Sequence, residues 1–209
     1  MKEEQKCVKA LKIVFLGDSP VGKTSVCKSF AGYEFLEDMI ATIGSDRFEK
    51  KVTLKNGKEI KVIVWDTAGQ ERFRSAALKT LINAHGIVII FRVTGKQTFL
   101  NVENWIRDVK ENFDNPSIVI FGNMIDIEKE KWEVTSEEAK EFAKKMNLPY
   151  FETSAKTKQG IDEGFSYIIE EAYHVAEKRL NKEISIPKNN NNNNNSGCPG
   201  NKKKNKWDV

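Results

Sequence analysis

Eight residues close to the amino terminus place two glycines, a lysine and a threonine at the spacing G-x-x-x-x-G-K-T. They read GDSPVGKT, residues 17–24, and lie between an apolar stretch and a helical pattern. In a loop of this kind the backbone N–H groups wrap a phosphate chain, and the start of the helix adds a favourable dipole. Lys23 is expected to reach the outer phosphates, and Thr24 to bind Mg²⁺ through its hydroxyl. A chance glycine-rich turn is the alternative, which the strand–loop–helix context disfavours.

A second group of candidate residues follows a later strand-like stretch. It reads WDTAGQ, residues 65–70. An acid at the carboxyl end of a strand beside a phosphate loop, here Asp66, is well placed to hold Mg²⁺ through water. Gly69 can offer its N–H to a terminal phosphate because no Cβ intervenes. Taken alone, Asp66 would be an ordinary turn residue at the end of a strand. Residues 65–70 together favour a site for a nucleoside triphosphate and its metal.

Two further groups point to the base of that nucleotide. They read NMID, residues 123–126, and TSAK, residues 153–156, and each follows a predicted strand. The carboxylate of Asp126 can accept both N–H donors on the edge of guanine, and adenine has no such pair. A backbone N–H of the second group can serve the guanine oxygen. Each group alone is weak because Asn and Asp mark turns everywhere, but together and in this order they indicate guanine.

These residues need a sheet whose strands end close together. Apolar runs separated by helical patterns predict right-handed crossovers and a mostly parallel sheet covered on both faces. Asn56-Gly57 predicts a hairpin, which adds one antiparallel edge strand. We therefore predict an α/β fold with six strands and about five helices. The strands are expected near 8–16, 48–54, 60–65, 86–93, 117–122 and 150–152, and helices over 22–30, 99–113 and 161–173 among others.

Charge and composition divide the chain into a body and a tail. Lys and Arg number 34 against 30 Asp and Glu, and the whole excess lies after residue 180. We predict one domain over 1–183 and a disordered, Asn-rich, Lys-containing tail over 184–209, because such a tail cannot bury enough apolar surface. The neutral body argues against nucleic-acid binding. Three widely spaced cysteines suit a reduced cytoplasmic protein, and we expect a monomer.

The motifs together resemble those of the Ras superfamily of small GTPases, and are closest to the Rab family. WDTAGQERFR stands unbroken at residues 65–74, and TIG at 42–44 resembles the first switch. The likeness covers about residues 8–179. It implies Mg²⁺-dependent GTP and GDP binding, slow hydrolysis and two switch loops ordered by the γ-phosphate. Rab membership further implies a role in vesicle trafficking, peripheral association with endomembranes, and exchange factors, GTPase-activating proteins and effectors at Thr42, Phe48, Trp65 and residues 70–80.

The resemblance also assigns roles that the residues alone do not. Thr42 would ligate Mg²⁺ and report the γ-phosphate, Phe35 would stack against the guanine, and Gln70 would orient the attacking water. The expected metal ligands are Thr24, Thr42 and Asp66, and the expected catalytic residue is Gln70. The expected nucleotide-binding residues are Ser19, Pro20, Val21, Gly22, Lys23, Thr24, Ser25, Phe35, Thr42, Gly69, Asn123, Met124, Asp126, Ser154, Ala155 and Lys156.

Two departures from the family pattern fall on the nucleotide site. Pro20 stands where the family has a backbone N–H aimed at the oxygen between the β- and γ-phosphates. Proline has no N–H, and losing such a donor slows a reaction about 10²-fold; a harmless loop proline is the equal alternative. Met124 replaces a lysine of the family. It can lie over the base but cannot donate a hydrogen bond, so we predict faster nucleotide exchange.

Other departures concern partners and membranes. The first switch carries one residue more than the Rab pattern, which predicts a bulge at the head of the second strand, with Phe48 and Trp65 still meeting on one exposed face. Thr80 and Arg92 replace an aromatic and an acidic residue of the family. Cys198 is followed by eleven residues, so no terminal prenylation motif is present and membrane association is open. The alternatives to a cycling switch are a hydrolysis-deficient GTP-bound scaffold and a soluble adaptor.

Overall fold

A computed structural model describes residues 7–36, 42, 45–67, 74–113 and 115–185. Within them, six strands form one sheet in the order β2-β3-β1-β4-β5-β6. Only β2 and β3 pair antiparallel in this described part, and the other neighbours run parallel. The elements are β1 (Ala10–Leu16), α1 (Lys23–Ala31), β2 (Ser45–Thr53), β3 (Glu59–Thr67), α2 (Arg74–Lys79), β4 (Gly86–Arg92), α3 (Lys96–Leu100), α4 (Val102–Asn112), β5 (Ser117–Asn123), α5 (Ser136–Met146), β6 (Tyr150–Thr153) and α6 (Ile161–Ser185).

The predicted fold class is confirmed. The helical segment between β4 and β5 is divided at Asn101 into α3 and α4, so one predicted helix is two. A short 3-10 helix, Lys129–Lys131, precedes α5. The last helix runs to Ser185, so residues 184 and 185 are helical although the sequence placed them in the tail. Residues 186–209 lie outside the described part, and the disorder predicted for them stays a prediction.

Local signals explain where these helices begin and bury their faces. In α4 the apolar residues recur at helical spacing, and all of them are buried on one side. They are Val102, Trp105, Ile106 and Val109. The hydroxyl of Thr135 caps α5 by accepting a hydrogen bond from the N–H of Glu138. In the described part of the chain, no helix is long and apolar enough to cross a membrane.

The core lies in two apolar layers, one on each face of the sheet. Residues of α1 and α6 cover one face, and residues of α2 to α5 cover the other. In the first layer, Phe165 of α6 stacks on Phe30 of α1 with ring centroids 3.8 Å apart. It also contacts Phe15 of β1 and Phe121 of β5. Phe165 therefore joins α1, α6 and the sheet, which fixes where the loops at the carboxyl ends of the strands stand.

The edge strand β2 is exposed over most of its length. It reads SDRFEKKVT, and seven of these nine residues are exposed. Glu49 pairs with Arg47 on the same strand and with Lys61 on β3. The exposed side of the sheet edge is therefore polar.

The pairing of β2 with β3 corrects two expectations. Ser45 pairs with Thr67, and the register continues without interruption to the Asn56-Gly57 turn, so the described strand contains no bulge. In this register Arg47 pairs with Trp65, and Phe48 pairs with Val64. Paired residues share a face and neighbours alternate, so Phe48 and Trp65 lie on opposite faces rather than together. The turn fixes which residues pair, and paired residues of this hairpin are an even number of positions apart. Phe48 and Trp65 are an odd number of positions apart, so they cannot share a face.

Each aromatic consequently packs in a different layer. Phe48 contacts the layer under α1 and α6, and its ring lies 6.2 Å from that of Tyr33. Trp65 packs against the opposite layer, where the Lys12 ammonium lies 4.8 Å from its ring centroid. The residue beside Trp65 across the strands is thus the cation Arg47. Thr80, where an aromatic was expected, donates its hydroxyl to the carbonyl of Ala77 at the end of α2.

Candidate nucleotide and magnesium site

The loop of residues 17–22 joins β1 to α1, and two of its glycines are structurally required. Gly17 has φ +146°, and a Cβ there would lie 2.2 Å from the Ile90 carbonyl oxygen. Gly22 has φ +85°, and a Cβ there would lie 2.6 Å from the side-chain nitrogen of Asn123. These approaches hold the loop against β4 and the end of β5. The first turn of α1 consequently opens at the carboxyl edge of the sheet, where anions are favoured.

Lys23 is the buried cation of this loop. It is 6% exposed, and its ammonium donates hydrogen bonds to the carbonyl oxygens of Gly17 and Asp18, both at 2.8 Å. Burial lowers the pKa of Lys23 to about 8, although the carboxylates of Asp66 and Asp18 oppose this shift. A phosphate would provide a nearby countercharge that favours the ammonium form. The position predicted for Lys23 from sequence is therefore the one that suits phosphate binding.

Three oxygen-bearing side chains meet beside Lys23, as the sequence and the resemblance predicted for a metal. The hydroxyls of Thr24 and Thr42 lie 2.8 Å apart, and both hydrogen-bond to the Oδ2 atom of Asp66. Asp66 is fully buried, and its Oδ1 atom has no hydrogen-bond partner among the described residues. Burial raises the pKa of Asp66, while the Thr24 hydrogen bond and the Lys23 charge oppose that rise.

This cluster fits Mg²⁺. Magnesium prefers oxygen ligands and is bound in nucleotide sites by one or two carboxylates together with substrate phosphates and water. A buried carboxylate oxygen without a partner needs an explanation, and a hydrated cation beside Asp66 supplies one. Thr24, Thr42 and Asp66 are the residues that would hold it.

The loops after β5 and β6 converge on the other side of Gly22. Asn123 donates its amide N–H to the Val21 carbonyl oxygen at 2.9 Å, and its own oxygen lies 3.3 Å from the Thr153 hydroxyl. The Ser154 hydroxyl donates to the Asp126 carboxylate at 2.6 Å. Asn123 therefore braces the phosphate loop. The exposed Asp126 is held in a fixed orientation by Ser154.

Met124 lies between the two halves of the site. Its backbone has φ +71°, and its terminal methyl group is 3.6 Å from where a Cβ on Gly22 would stand. The thioether chain thus reaches the phosphate loop, and the prediction that it lies over the base stays a prediction. It makes an apolar contact there, where a lysine would donate hydrogen bonds.

The remaining predicted residues are distributed unevenly. Ser19 and Pro20 are exposed, Ser25 is half-buried, and the ring of Phe35 is 38% exposed beyond the end of α1. Ala155 is buried and Lys156 exposed after β6. Gly69 and Gln70 lie outside the described residues, so their roles stay predictions.

Sequence reasoning missed the partners of Asp18. Its carboxylate accepts hydrogen bonds from the Asn101 amide and the Trp105 indole, on the helices after β4. Asp18 stands inside the recognised motif, but its partners lie 83 and 87 residues further along the chain. The available signal was a carboxylate inside a loop that was expected to bind an anion.

Comparisons with known proteins agree with this geometry. The model of the Ras family matches residues 12–174. The chain belongs to the Ras family. It is 38% identical to the Ras-related protein Rab-27A of Rattus norvegicus over 183 residues, which is 82% of either chain. It is 39% identical to Rab-27B of Homo sapiens over 171 residues, covering 77% of this chain and 78% of the relative.

A third relative extends the likeness to another branch of the Rab proteins. The chain is 40% identical to the Ras-related protein Rab-1C of Dictyostelium discoideum over 157 residues, covering 74% of this chain and 77% of the relative. This protein is therefore a Rab-like member of the Ras family, a small GTPase of the switch type. The Ras-family assignment covers every element from within β1 to within α6, and so includes the whole site described above.

Proposed function

We propose that this Ras-family protein is a GTP/GDP switch that hydrolyses GTP slowly with Mg²⁺ and regulates vesicle trafficking through partners at its switch regions. The meeting of the Thr24 and Thr42 hydroxyls at the Oδ2 atom of Asp66, whose buried Oδ1 atom has no partner among the described residues, carries the proposal. Thr42 comes from the predicted first switch, so this cluster connects that segment to the metal site. The Rab proteins among its relatives support the trafficking role, with peripheral association at endomembranes.

The residues of this chain divide the work of binding. Lys23 and the backbone N–H groups of residues 19–25 other than Pro20 would hold the phosphates, and Thr24, Thr42 and Asp66 would hold the metal. When bound, Mg²⁺ neutralises charge that develops on the phosphate oxygens. Gly69 donates its N–H to the γ-phosphate, and Gln70 orients the attacking water. An arginine from a partner would add about 10³–10⁵-fold in rate.

Asp126 selects the base. Ser154 fixes one carboxylate oxygen, so the carboxylate presents a defined edge to the two N–H groups of guanine. Ala155 and Lys156 follow Ser154 at the end of β6, where a backbone N–H can serve the guanine oxygen. Asn123 holds this loop to the phosphate loop through Val21, which sets the distance between the base and the phosphates.

The test is the identity and turnover of the bound nucleotide. The purified protein is expected to carry GDP or GTP, and to exchange it when Mg²⁺ is chelated. Asp126→Asn is the matched variant, because an amide donates where a carboxylate accepts. It should lose guanine nucleotides and gain xanthosine diphosphate, whose ring carries an oxygen in place of the amino group. A wild-type protein that ignores guanosine nucleotides in excess Mg²⁺ contradicts the proposal.

Pro20 supports a second candidate, a scaffold that stays bound to GTP. It lies exposed in the phosphate loop and has no N–H to donate towards the bond that breaks. Single-turnover hydrolysis separates the two candidates. If the scaffold is correct, Pro20→Gly accelerates hydrolysis about 10²-fold; equal rates in the two proteins favour the cycling switch.

A further inference from the structure

The carboxylate of Asp18 is tied to the helices that follow β4. The Asn101 amide donates to one oxygen at 2.6 Å, and the Trp105 indole N–H donates to the other at 3.0 Å. The Asn101 amide is itself oriented by Gln97, whose side chain donates to the Asn101 oxygen at 3.1 Å. Trp105 is 3% exposed in the apolar layer under the sheet. Asp18 is thus held by one side chain at the junction of α3 and α4 and another buried in α4.

The backbone of the same residue holds the phosphate-binding lysine. The Asp18 carbonyl oxygen accepts a hydrogen bond from the Lys23 ammonium at 2.8 Å. A rotation of the Asp18 residue would therefore move a partner of Lys23. Only the hydrogen bonds of its carboxylate join this part of the loop to α3 and α4 among the described contacts of Asp18.

The charge of Asp18 is unfavourable for the ligand that the loop binds. A carboxylate near a polyanion repels it by Coulomb's law, so neutralising Asp18 would tighten nucleotide binding if charge alone mattered. Both of its oxygens are occupied by donors from the helices, which is a positioning geometry. The two effects predict opposite signs for the same substitution.

We propose that Asp18 is a positioning residue for the phosphate loop, held by Asn101 and Trp105, and that this clamp slows the release of nucleotides that carry a β-phosphate. The proposal rests on the proposed function, since it concerns guanine nucleotides at the same site. It deepens that function by making the junction of α3 and α4 a determinant of how long GDP stays bound.

The experiment measures GDP release from the full chain by chasing a fluorescent GDP analogue with excess GDP. Asp18→Asn keeps the size of the side chain but sets an amide N–H₂ against one of the two donors. Trp105→Phe removes the indole N–H and leaves the net charge unchanged. Each is expected to release GDP about tenfold faster, as the loss of a hydrogen bond to a charged group implies. The double variant should be no faster than the faster single variant, because both act through one clamp.

Controls separate the clamp from a general loss of stability. Val109→Ala removes a fully buried side chain one turn along α4, so it should lower the melting temperature while leaving GDP release within twofold of wild type. Affinity for GMP, which lacks a β-phosphate, should stay within threefold in every variant. If Asp18→Asn does not fold, Trp105→Phe decides alone.

Several results would overturn the clamp. Slower GDP release from Asp18→Asn would mean that the charge of Asp18 outweighs its positioning of the loop. Unchanged release from both variants would mean that Asp18 and Trp105 do not control GDP release. An equal loss of GMP affinity, or equally fast release from Val109→Ala, means that the effect is general destabilisation. If the wild-type protein binds no guanine nucleotide, the proposed function itself is contradicted. That result differs from wild-type binding with unchanged GDP release in the variants, which contradicts the clamp alone.

Discussion

At the scale of single residues, Met124 contributes to the contact between the loop after β5 and the phosphate loop. Asn123 supplies a hydrogen bond to Val21, and the Met124 side chain makes an apolar contact near Gly22. A hydrogen bond to a charged donor contributes about 1.5–3 kcal/mol, more than a methyl contact does. We therefore expect Met124 to hold the two loops together more weakly than a lysine would.

Met124→Lys is therefore expected to slow spontaneous GDP release by about tenfold, since an ammonium can reach the loop carbonyl groups. The measurement is the dissociation rate of a fluorescent GDP analogue with Mg²⁺ present. Met124→Leu serves as the control, because it keeps the apolar contact and should leave the rate unchanged. A Lys variant that releases GDP as fast as the wild type argues against this role.

At the scale of elements, His85 joins the start of β4 to β1. The backbone N–H of Lys12 donates to the imidazole Nδ1 atom of His85 at 3.0 Å. The backbone N–H of His85 donates to the Lys12 carbonyl oxygen at 2.9 Å. Burial lowers the pKa of His85 to about 4, with the charges of Arg179 and Lys12 acting in the same direction. The acceptor must stay unprotonated for the contact to persist.

The free energy of unfolding should consequently fall as the pH drops from about 6.5 towards about 4. In that window the unfolded chain binds a proton on His85 that the folded chain excludes, so acid favours unfolding. His85→Asn keeps an acceptor for the Lys12 N–H but does not titrate. Urea unfolding at several pH values should show a smaller slope in the variant; equal slopes would assign the acid sensitivity to other groups.

Sequence reasoning succeeded where a motif ties a residue to the end of a particular strand. The 17–24 spacing placed Lys23 and Thr24 beside Asp66, because a phosphate loop and the end of a neighbouring parallel strand meet at one edge. The Asn56-Gly57 turn gave the β2–β3 hairpin. The same turn sets which residues pair, yet the faces of Phe48 and Trp65 were mistaken because that inference depends on a single position.

Contacts between distant segments that no motif marks could not be predicted. Asp18 finds its partners on helices whose apolar periodicity shows burial but says nothing of which loop lies above them. The break at Asn101 was missed for a related reason, since apolar residues recur across it at helical spacing. Such contacts follow from how the layers pack, and one sequence carries little direct record of that packing.

At the scale of the whole molecule, Phe165 joins α6 to α1 and to the sheet. It contacts the rings of Phe15, Phe30 and Phe121 and is 1% exposed. Truncating a buried phenylalanine costs about 3–5 kcal/mol, because transfer energy is lost and a cavity remains. The substitution would weaken the packing of α1 and of α6 against each other and against the sheet.

Phe165→Ala should therefore lower the melting temperature of the nucleotide-loaded protein by about 10 °C, at about 2–4 °C for each kcal/mol in a chain of this size. Tyr167→Ala on the same helix is the control, because Tyr167 is 39% exposed and contacts only one described ring, that of Phe151. Its melting temperature should change little. Equal shifts in the two variants would show that α6 contributes evenly along its length.

The charged outer strand β2 has a consequence for the protein at high concentration. The backbone groups on the outer side of an edge strand form a template to which a second chain can add a strand, and amyloid grows by that kind of addition. A second copy that paired along β2 would bring Lys50 and Lys51 near the same two lysines of its neighbour. The like charges repel, so this border of the sheet protects a crowded solution from fibre formation.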